Sequence, residues 1–165
     1  LHPGLHEVPL REEGAQMTVP RTLYHGAPAG FLDSILEHGL LKGTAERANF
    51  EGFKHDTTGC VFLAETEKDA RFFGVASAME QHGPTLDFVV LIVDSLKARI
   101  AGVPIGEPEG ELDPKAFSGR QFIACGDIPP EAIVGFKKIS SESGRKGVKE
   151  EFYTFRPGEK PRLVR

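Results

Sequence analysis

Tyr24, His25 and Gly26 are the residues whose types and order most clearly suggest chemistry, because they follow a short apolar run and precede an amphipathic segment. A buried strand gains little from a histidine followed by a glycine. A strand end that binds a ligand gains more, since glycine lets a ligand come close to the main chain, which offers an amide one donor and one acceptor. The sequence therefore predicts ligand binding at His25 and Gly26, and a hydrogen-bonded core histidine is the alternative for His25.

Short strands and two early helices must position these residues. The segment 88–94 is apolar throughout, which predicts a central strand buried on both faces, and Asp94 ends it as a turn cap or a ligand contact. Residues 43–58 and 101–120 are predicted loops, and the first has the length of a functional lid. The other predicted elements are strands at 21–25, 60–64, 121–126, 132–139 and 152–155 and helices at 30–38 and 67–82.

Local signals mark the ends of both predicted helices. Thr66 and Asp69 have the spacing of a capping box at the start of the second helix, and Gly39 is suited to end the first. The apolar periodicity of the second helix predicts a packed face that is formed by Ala70, Phe73, Ala76 and Met79.

Few helices and five or six strands, most of them in the second half, predict the α+β class. The chain has 165 residues, enough for one domain, which we place at 20–165 after an N-terminal extension or linker at 1–19. The sequence begins with Leu1, and Met17 follows, so 1–16 is interpreted as a leader or as part of a longer polypeptide.

Composition excludes several classes of protein. The net charge of −4 argues against a protein that coats nucleic acid. No apolar run approaches the ~18 residues of a membrane span, and no signal peptide is evident, which favours a cytoplasmic protein without a membrane partner. Cys60 and Cys125 lie in apolar runs and are interpreted as reduced core thiols. No Cys or His spacing predicts a metal site.

Three segments in register resemble the ADP-ribosyltransferase superfamily. They are "YHG" at Tyr24, "GCVFLA" followed by "DARF", and "QFIA" followed by "DIPPEAI". The similarity covers about 21–136. It is to the branches that contain tRNA 2′-phosphotransferases, poly-ADP-ribose polymerases and DNA-modifying toxins. The resemblance implies an ADP-ribosyltransferase-like split, mostly antiparallel sheet with flanking helices and an NAD cleft between its halves.

Family roles transfer to matching positions of this sequence. His25 matches the histidine that hydrogen-bonds the adenosine-side ribose of NAD, and Gly26 matches the residue whose backbone pairs with the nicotinamide amide. Phe62 and Phe73 are candidates to stack on the nicotinamide ring, and Arg47 in the lid is a candidate ligand of the NAD phosphates. Core packing of the rings and a solvated loop charge are the plainer alternatives.

Gln121 lies where these families place a catalytic glutamate, and this is the main departure from the family pattern. A carboxylate there stabilises the positive charge that develops on the ribose when the nicotinamide bond breaks. Glutamine keeps the hydrogen bond and loses the charge, which weakens catalysis by roughly a hundredfold. Val61 is a second departure, since polymerase-type members have tyrosine there. An exposed edge-strand position is the alternative for Gln121.

The resemblance implies transfer of ADP-ribose from NAD to a macromolecular acceptor, with release of nicotinamide. Gln121 would orient the ribose. Mild acidity favours a protein acceptor slightly over nucleic acid, and a toxin or effector role would bring an immunity or antitoxin protein as a partner.

Two alternatives stay open. One is NAD-dependent removal of an RNA 2′-phosphate with a basic pocket from Arg47, Arg71 or Arg120. The other is a non-catalytic module that binds a nucleotide or a partner.

Overall fold

The computed structural model describes residues 18–42, 59–83, 87–108, 117–141 and 147–165. The predicted loop at 43–58, and Arg47 with it, lies outside the described residues. No helix in the described ranges is long and apolar enough to cross a membrane.

Eight strands, three helices and two 3-10 turns make up the described chain. The strands are β1 (Thr22–Pro28), β2 (Val61–Ala64), β3 (Phe88–Asp94), β4 (Ile105–Gly106), β5 (Gln121–Ala124), β6 (Ile133–Ser141), β7 (Val148–Thr154) and β8 (Arg162–Leu163). The helices are α1 (Leu32–His38), α2 (Glu67–His82) and α3 (Ser95–Ile100). The 3-10 turns are Ala29–Phe31, which leads into α1, and Pro130–Ala132, which leads into β6.

The strands form one sheet in the order β4-β5-β2-β1-β3-β6-β7-β8, and every neighbouring pair is antiparallel. β1 pairs with β3 along its whole length. With β2 it pairs only where Tyr24 lies opposite Ala64. The sheet is therefore split between β1 and β2 from His25 onward. The predicted α+β class and mostly antiparallel sheet are confirmed.

Different helices cover the two faces of the sheet. On one face, Leu32 of α1 and Ala98 of α3 join a large hydrophobic cluster with strand residues such as Leu23. On the other face, Ala70 and Ala78 of α2 belong to a smaller cluster. We refer to these as the α1 face and the α2 face.

β3 contributes to both clusters. Val89, Leu91 and Val93 lie in the cluster on the α1 face, and Phe88 and Val90 lie in the cluster on the α2 face. Since β3 also has a strand on each side, the prediction of a central strand buried on both faces is confirmed.

Helix α2 approaches β1 very closely because small residues meet at the contact. A Cβ atom built on Gly26 would overlap the carbonyl oxygen of Ala70 and lie 2.5 Å from the backbone nitrogen of Gly74. Ala70, Gly74 and Ala78 are all buried and recur every fourth residue, which places them on one side of the helix. The predicted packed face was therefore partly wrong, since Met79 is 48% exposed.

The predicted helix ends are confirmed. The Thr66 hydroxyl accepts a hydrogen bond from the Asp69 N–H at 3.3 Å, and Gly39 ends α1 with φ of 87° while its N–H donates to the Ile35 carbonyl at 2.7 Å. Asp94 caps α3, because its Oδ1 accepts from two backbone N–H groups of that helix at 3.1 and 3.2 Å. The interpretation of Asp94 as a cap is thus confirmed.

Three short elements were not predicted. Helix α3 follows directly on β3, β4 lies inside the predicted loop 101–120, and β8 lies in the charged tail. Two-residue strands carry no periodicity of their own, and they form here because β5 and β7 offer edges for pairing. β1 also continues beyond the predicted end at His25, since its last three residues pair with β3.

The core reaches into the segment that was predicted to be an N-terminal extension. Val19 is buried in the larger cluster, and the Thr18 carbonyl accepts a hydrogen bond from Arg120 at 3.3 Å. The division of the chain at residue 19 stays a prediction. Cys60 is buried and Cys125 is half-buried, and neither of these two described cysteines forms a disulfide.

Candidate functional site

The three segments that carry the family resemblance lie side by side on neighbouring strands. Gln121 of β5 lies opposite Ala64 of β2, and Ala64 lies opposite Tyr24 of β1. Ala64 and Tyr24 pack in the cluster beneath α2, so Gln121 lies on the α2 face as well. We refer to these three residues as the Gln121 row. Phe62 lies on this face too, two residues before Ala64.

His25 lies on the opposite face of the sheet, at the split. Its strand neighbours Leu23 and Ala27 belong to the cluster on the α1 face, and side chains alternate along a strand. The Nδ1 atom of His25 lies 2.6 Å from the carbonyl oxygen of Phe62, so the side chain spans the gap from β1 to β2. No hydrogen bond joins His25 to Gln121 in the described structure.

The contact with Phe62 defines the protonation of the His25 ring. A carbonyl oxygen can only accept, so Nδ1 carries the proton and Nε2 is left as an acceptor when the ring is neutral. Burial lowers the pKa of His25 and the hydrogen bond to Phe62 raises it, and burial is the larger effect, so the pKa lies below its ordinary value of 6.5. A neutral ring at the split can accept a hydrogen bond from a ligand hydroxyl.

This lowered pKa makes stability depend on pH. Since the unfolded chain takes up a proton near pH 6.5 and the folded chain does so only at lower pH, the contribution of His25 is complete above about pH 6.5 and is lost as the pH falls. We expect the free energy of unfolding of the wild type to fall more steeply between pH 7 and 5 than that of His25→Gln, measured by urea denaturation. His38→Gln, at an exposed position of α1, is the control for the removal of a histidine. Equal slopes for wild type and His25→Gln would contradict the expectation.

Gly26 serves helix packing, a purpose that the sequence did not reveal. Its missing side chain makes room for the backbone of α2, as described above. Beyond Tyr24, the edge of β1 that faces β2 does not pair with any described strand. Main-chain groups at this edge are suited to pair with a planar amide. Binding of an amide by Gly26 stays a prediction.

Gln121 is held by Asp69 of α2, and both side chains are nearly inaccessible, at 2% and 6% exposure. The Nε2 atom of Gln121 donates to Asp69 Oδ2 at 2.9 Å and to the Gly119 carbonyl at 3.3 Å. A carboxylate only accepts, so this contact identifies the nitrogen of the carboxamide and orients the oxygen away from Asp69. Oε1 makes no hydrogen bond to the described residues, so it is available to accept one from a ligand hydroxyl.

Several hydrogen-bond donors surround the Asp69 carboxyl group and keep it ionised. Its Oδ1 accepts from the Ser118 N–H at 2.9 Å and the Ser118 hydroxyl at 3.0 Å, and its Oδ2 accepts from the Gly119 N–H at 3.0 Å as well as from Gln121. Burial raises the pKa of Asp69, but the hydrogen bonds from Ser118, Gly119 and Thr66 together outweigh burial and hold the pKa below its ordinary value. The carboxylate therefore fixes the Gln121 side chain at neutral pH.

Aromatic rings surround the first turns of α2. The Phe73 ring packs against Phe72 at a centroid distance of 5.7 Å and against Phe117 at 5.6 Å. Phe72 and Phe73 are adjacent on α2, and Phe72 has the more accessible ring because it is 61% exposed. Phe72 therefore offers an accessible ring on which a ligand could stack. Stacking by Phe62 and Phe73 stays a prediction.

The arginines that were considered for a phosphate pocket are paired with carboxylates. Arg71 contacts Glu67 at 2.8 Å and also Glu150 of β7. Arg120 donates two side-chain hydrogen bonds to Glu65, at 2.7 and 3.1 Å. These pairs neutralise both cations, so neither of the two described arginines is left to bind a phosphate. Arg47 lies outside the described residues.

Comparison with known proteins finds similarity in structure alone. No family model matches the sequence, and no curated protein matches it. The chain is similar in fold to EcPltA, an ADP-ribosylating toxin subunit. The match covers 79% of this chain and 82% of EcPltA, with a TM-score of 0.46 and 10% sequence identity.

Asp69 is the residue of the site that the sequence analysis missed. Its position in the capping box was recognised, and its backbone N–H does donate to the Thr66 cap, but its carboxylate accepts hydrogen bonds from Ser118, Gly119 and Gln121. These partners are about fifty residues away in the sequence. An acid in the first turn of the predicted helix was the available signal.

Proposed function

We propose that this protein transfers ADP-ribose from NAD to a macromolecular acceptor and releases nicotinamide. The observation that supports the proposal is the Gln121 row, in which the three motif segments come together on adjacent strands beside the split of the sheet.

Gln121 orients the ribose of NAD in this proposal. Its Nε2 is committed to Asp69 and Gly119, which leaves Oε1 to accept a hydrogen bond from the ribose 2′-hydroxyl. The neutral carboxamide positions the sugar without adding a negative charge, so turnover is roughly a hundredfold slower than with a carboxylate at that position.

NAD lies across the split in this proposal. The main chain of Gly26 pairs with the nicotinamide amide, the Nε2 atom of His25 accepts from a ribose hydroxyl, and an aromatic ring from Phe62, Phe72 or Phe73 stacks on the nicotinamide. The bond between the nicotinamide nitrogen and ribose C1′ breaks with its electron pair on nicotinamide. An acceptor nucleophile then bonds to C1′ and loses its proton.

The test is NAD turnover by the full chain. Incubation with NAD labelled in the adenylate half and a cell extract should release nicotinamide and label macromolecules, with protease sensitivity separating a protein acceptor from nucleic acid. Gln121→Ala should lower the rate at least roughly tenfold because the ribose loses its hydrogen bond. Glu80→Ala, at an exposed position late in α2, is the control.

Binding of NAD without turnover would indicate the non-catalytic module, and release only with 2′-phosphorylated RNA would indicate the phosphotransferase. Neither binding nor release would refute the proposal.

A further inference from the structure

A cleft lies at the other end of the sheet from the Gln121 row, where β6 begins, β7 ends and β8 begins. Its volume is about 440 Å³. We refer to it as the basic cleft, and it is lined by Lys97, Val134, Thr154, Phe155, Arg156, Glu159, Lys160 and Arg162. Between it and Gln121 of β5 lie the strands β2, β1 and β3, which corresponds to roughly 20 Å at the usual strand spacing.

The charge of the basic cleft contrasts with that of the chain. Four of its eight lining residues are cationic and one is acidic, whereas the whole chain has a net charge of −4. Lys97, Arg156, Lys160 and Arg162 are exposed, and within the described residues none of them forms a side-chain ion pair. Arg21, Arg71 and Arg120, in contrast, are each paired with carboxylates. The cations of the basic cleft thus remain available to an anionic ligand.

The floor of the basic cleft is apolar. Phe155 is only 8% exposed and belongs to the cluster on the α1 face, and Val134 beside it is half-buried. Thr154 adds a hydroxyl that can donate or accept a hydrogen bond. An aromatic floor below a cationic rim suits a ligand that has both a flat ring and phosphate groups. Pockets of about 300 to 1,000 Å³ are typical of small-molecule sites.

We propose that the basic cleft binds a nucleoside polyphosphate. The phosphates lie among Arg156, Lys160 and Arg162, where guanidinium groups can donate paired hydrogen bonds to phosphate oxygens. The nucleoside lies against Phe155 and Thr154. This site is separate from the Gln121 row and does not depend on the proposed transfer reaction.

The binding test uses the full chain and a fluorescent N-methylanthraniloyl derivative of ATP, titrated at low and moderate salt. We expect saturable binding that weakens as salt rises, and displacement by ATP at least roughly tenfold better than by inorganic tripolyphosphate. The double variant Arg156→Ala/Arg162→Ala should bind roughly tenfold more weakly. Lys68→Ala/Lys138→Ala removes the same charge from exposed positions outside the cleft and should bind as the wild type does.

Several results would overturn this proposal. They are the absence of saturable binding, an equal loss in both double variants, equal displacement by tripolyphosphate, and binding of a single-stranded oligonucleotide without binding of the mononucleotide. Thermal unfolding of each variant establishes that it is folded. Gln121→Ala should bind the nucleotide as the wild type does, and the Arg156→Ala/Arg162→Ala variant should retain nicotinamide release, so failure of one proposal can be distinguished from failure of the other.

Discussion

Replacing Gly26 by alanine is expected to lower the free energy of unfolding by roughly 3 kcal/mol or more. The added Cβ would overlap the carbonyl oxygen of Ala70 and lie 2.5 and 2.8 Å from the backbone nitrogen and Cα of Gly74. All of these are main-chain atoms inside a helix, so no side-chain rotation relieves the overlap. Either α2 moves away from β1 or β1 shifts in the sheet, and both changes open the smaller cluster of the core.

Denaturant unfolding followed by circular dichroism measures this effect. Gly30→Ala is the matched control, because a Cβ atom built on Gly30 meets nothing within 4 Å, and its cost should stay below about 1 kcal/mol. A similar, small cost for both variants would show that α2 does not lie against β1 as described. If Gly26→Ala remains folded, it should also bind NAD more weakly than Gly30→Ala, since the displaced strand forms one border of the split.

Replacing Gln121 by glutamate is expected to destabilise the protein by roughly 3 kcal/mol at neutral pH instead of simply restoring a catalytic carboxylate. In the wild type, Gln121 Nε2 donates to Asp69 Oδ2 at 2.9 Å. Glutamate would place a second carboxylate there, inside a nearly inaccessible site, and two like charges at that distance raise the pKa of one of them. Because the raised pKa belongs to the folded state, the deficit relative to the wild type should grow as the pH rises from about 5 to 8.

A second substitution at Asp69 tests this cause. Gln121→Glu/Asp69→Asn gives the new carboxylate an amide donor and should recover part of the lost stability, with a weaker dependence on pH. Nicotinamide release should rise above the wild-type rate only in this double variant. The single variant Asp69→Asn must also be measured, because it completes the double-mutant cycle. A stable, pH-independent Gln121→Glu variant would contradict the assigned contact between Gln121 and Asp69.

Local signals in the sequence predicted those elements that depend on nearby residues. The apolar run of β3, the Thr66 cap of α2 and the glycine that ends α1 were all found in this way. The packed face of α2 was not, because apolar periodicity favoured the large residue Met79, whereas the sheet required small residues where Gly26 meets the helix.

The candidate site was predictable only in part, for a similar reason. The three motif segments were recognised from their residue types, and the structure places them on adjacent strands. That His25 and Gln121 lie on opposite faces follows from the strand register, which a motif does not specify. The contact between Gln121 and Asp69 joins residues 52 positions apart, so only the folded chain reveals it.

The single paired position between β1 and β2 has a mechanical consequence. β4, β5 and β2 form one group of strands and the other five described strands form a second group. Among the described strands, main-chain pairing joins the two groups only at Tyr24 and Ala64. The hydrogen bond from the His25 imidazole to β2 is a second contact between the two groups of strands. A flat molecule that pairs with the strand edges there would supply some of the missing hydrogen bonds, so its binding would hold the two groups of strands more rigidly against each other.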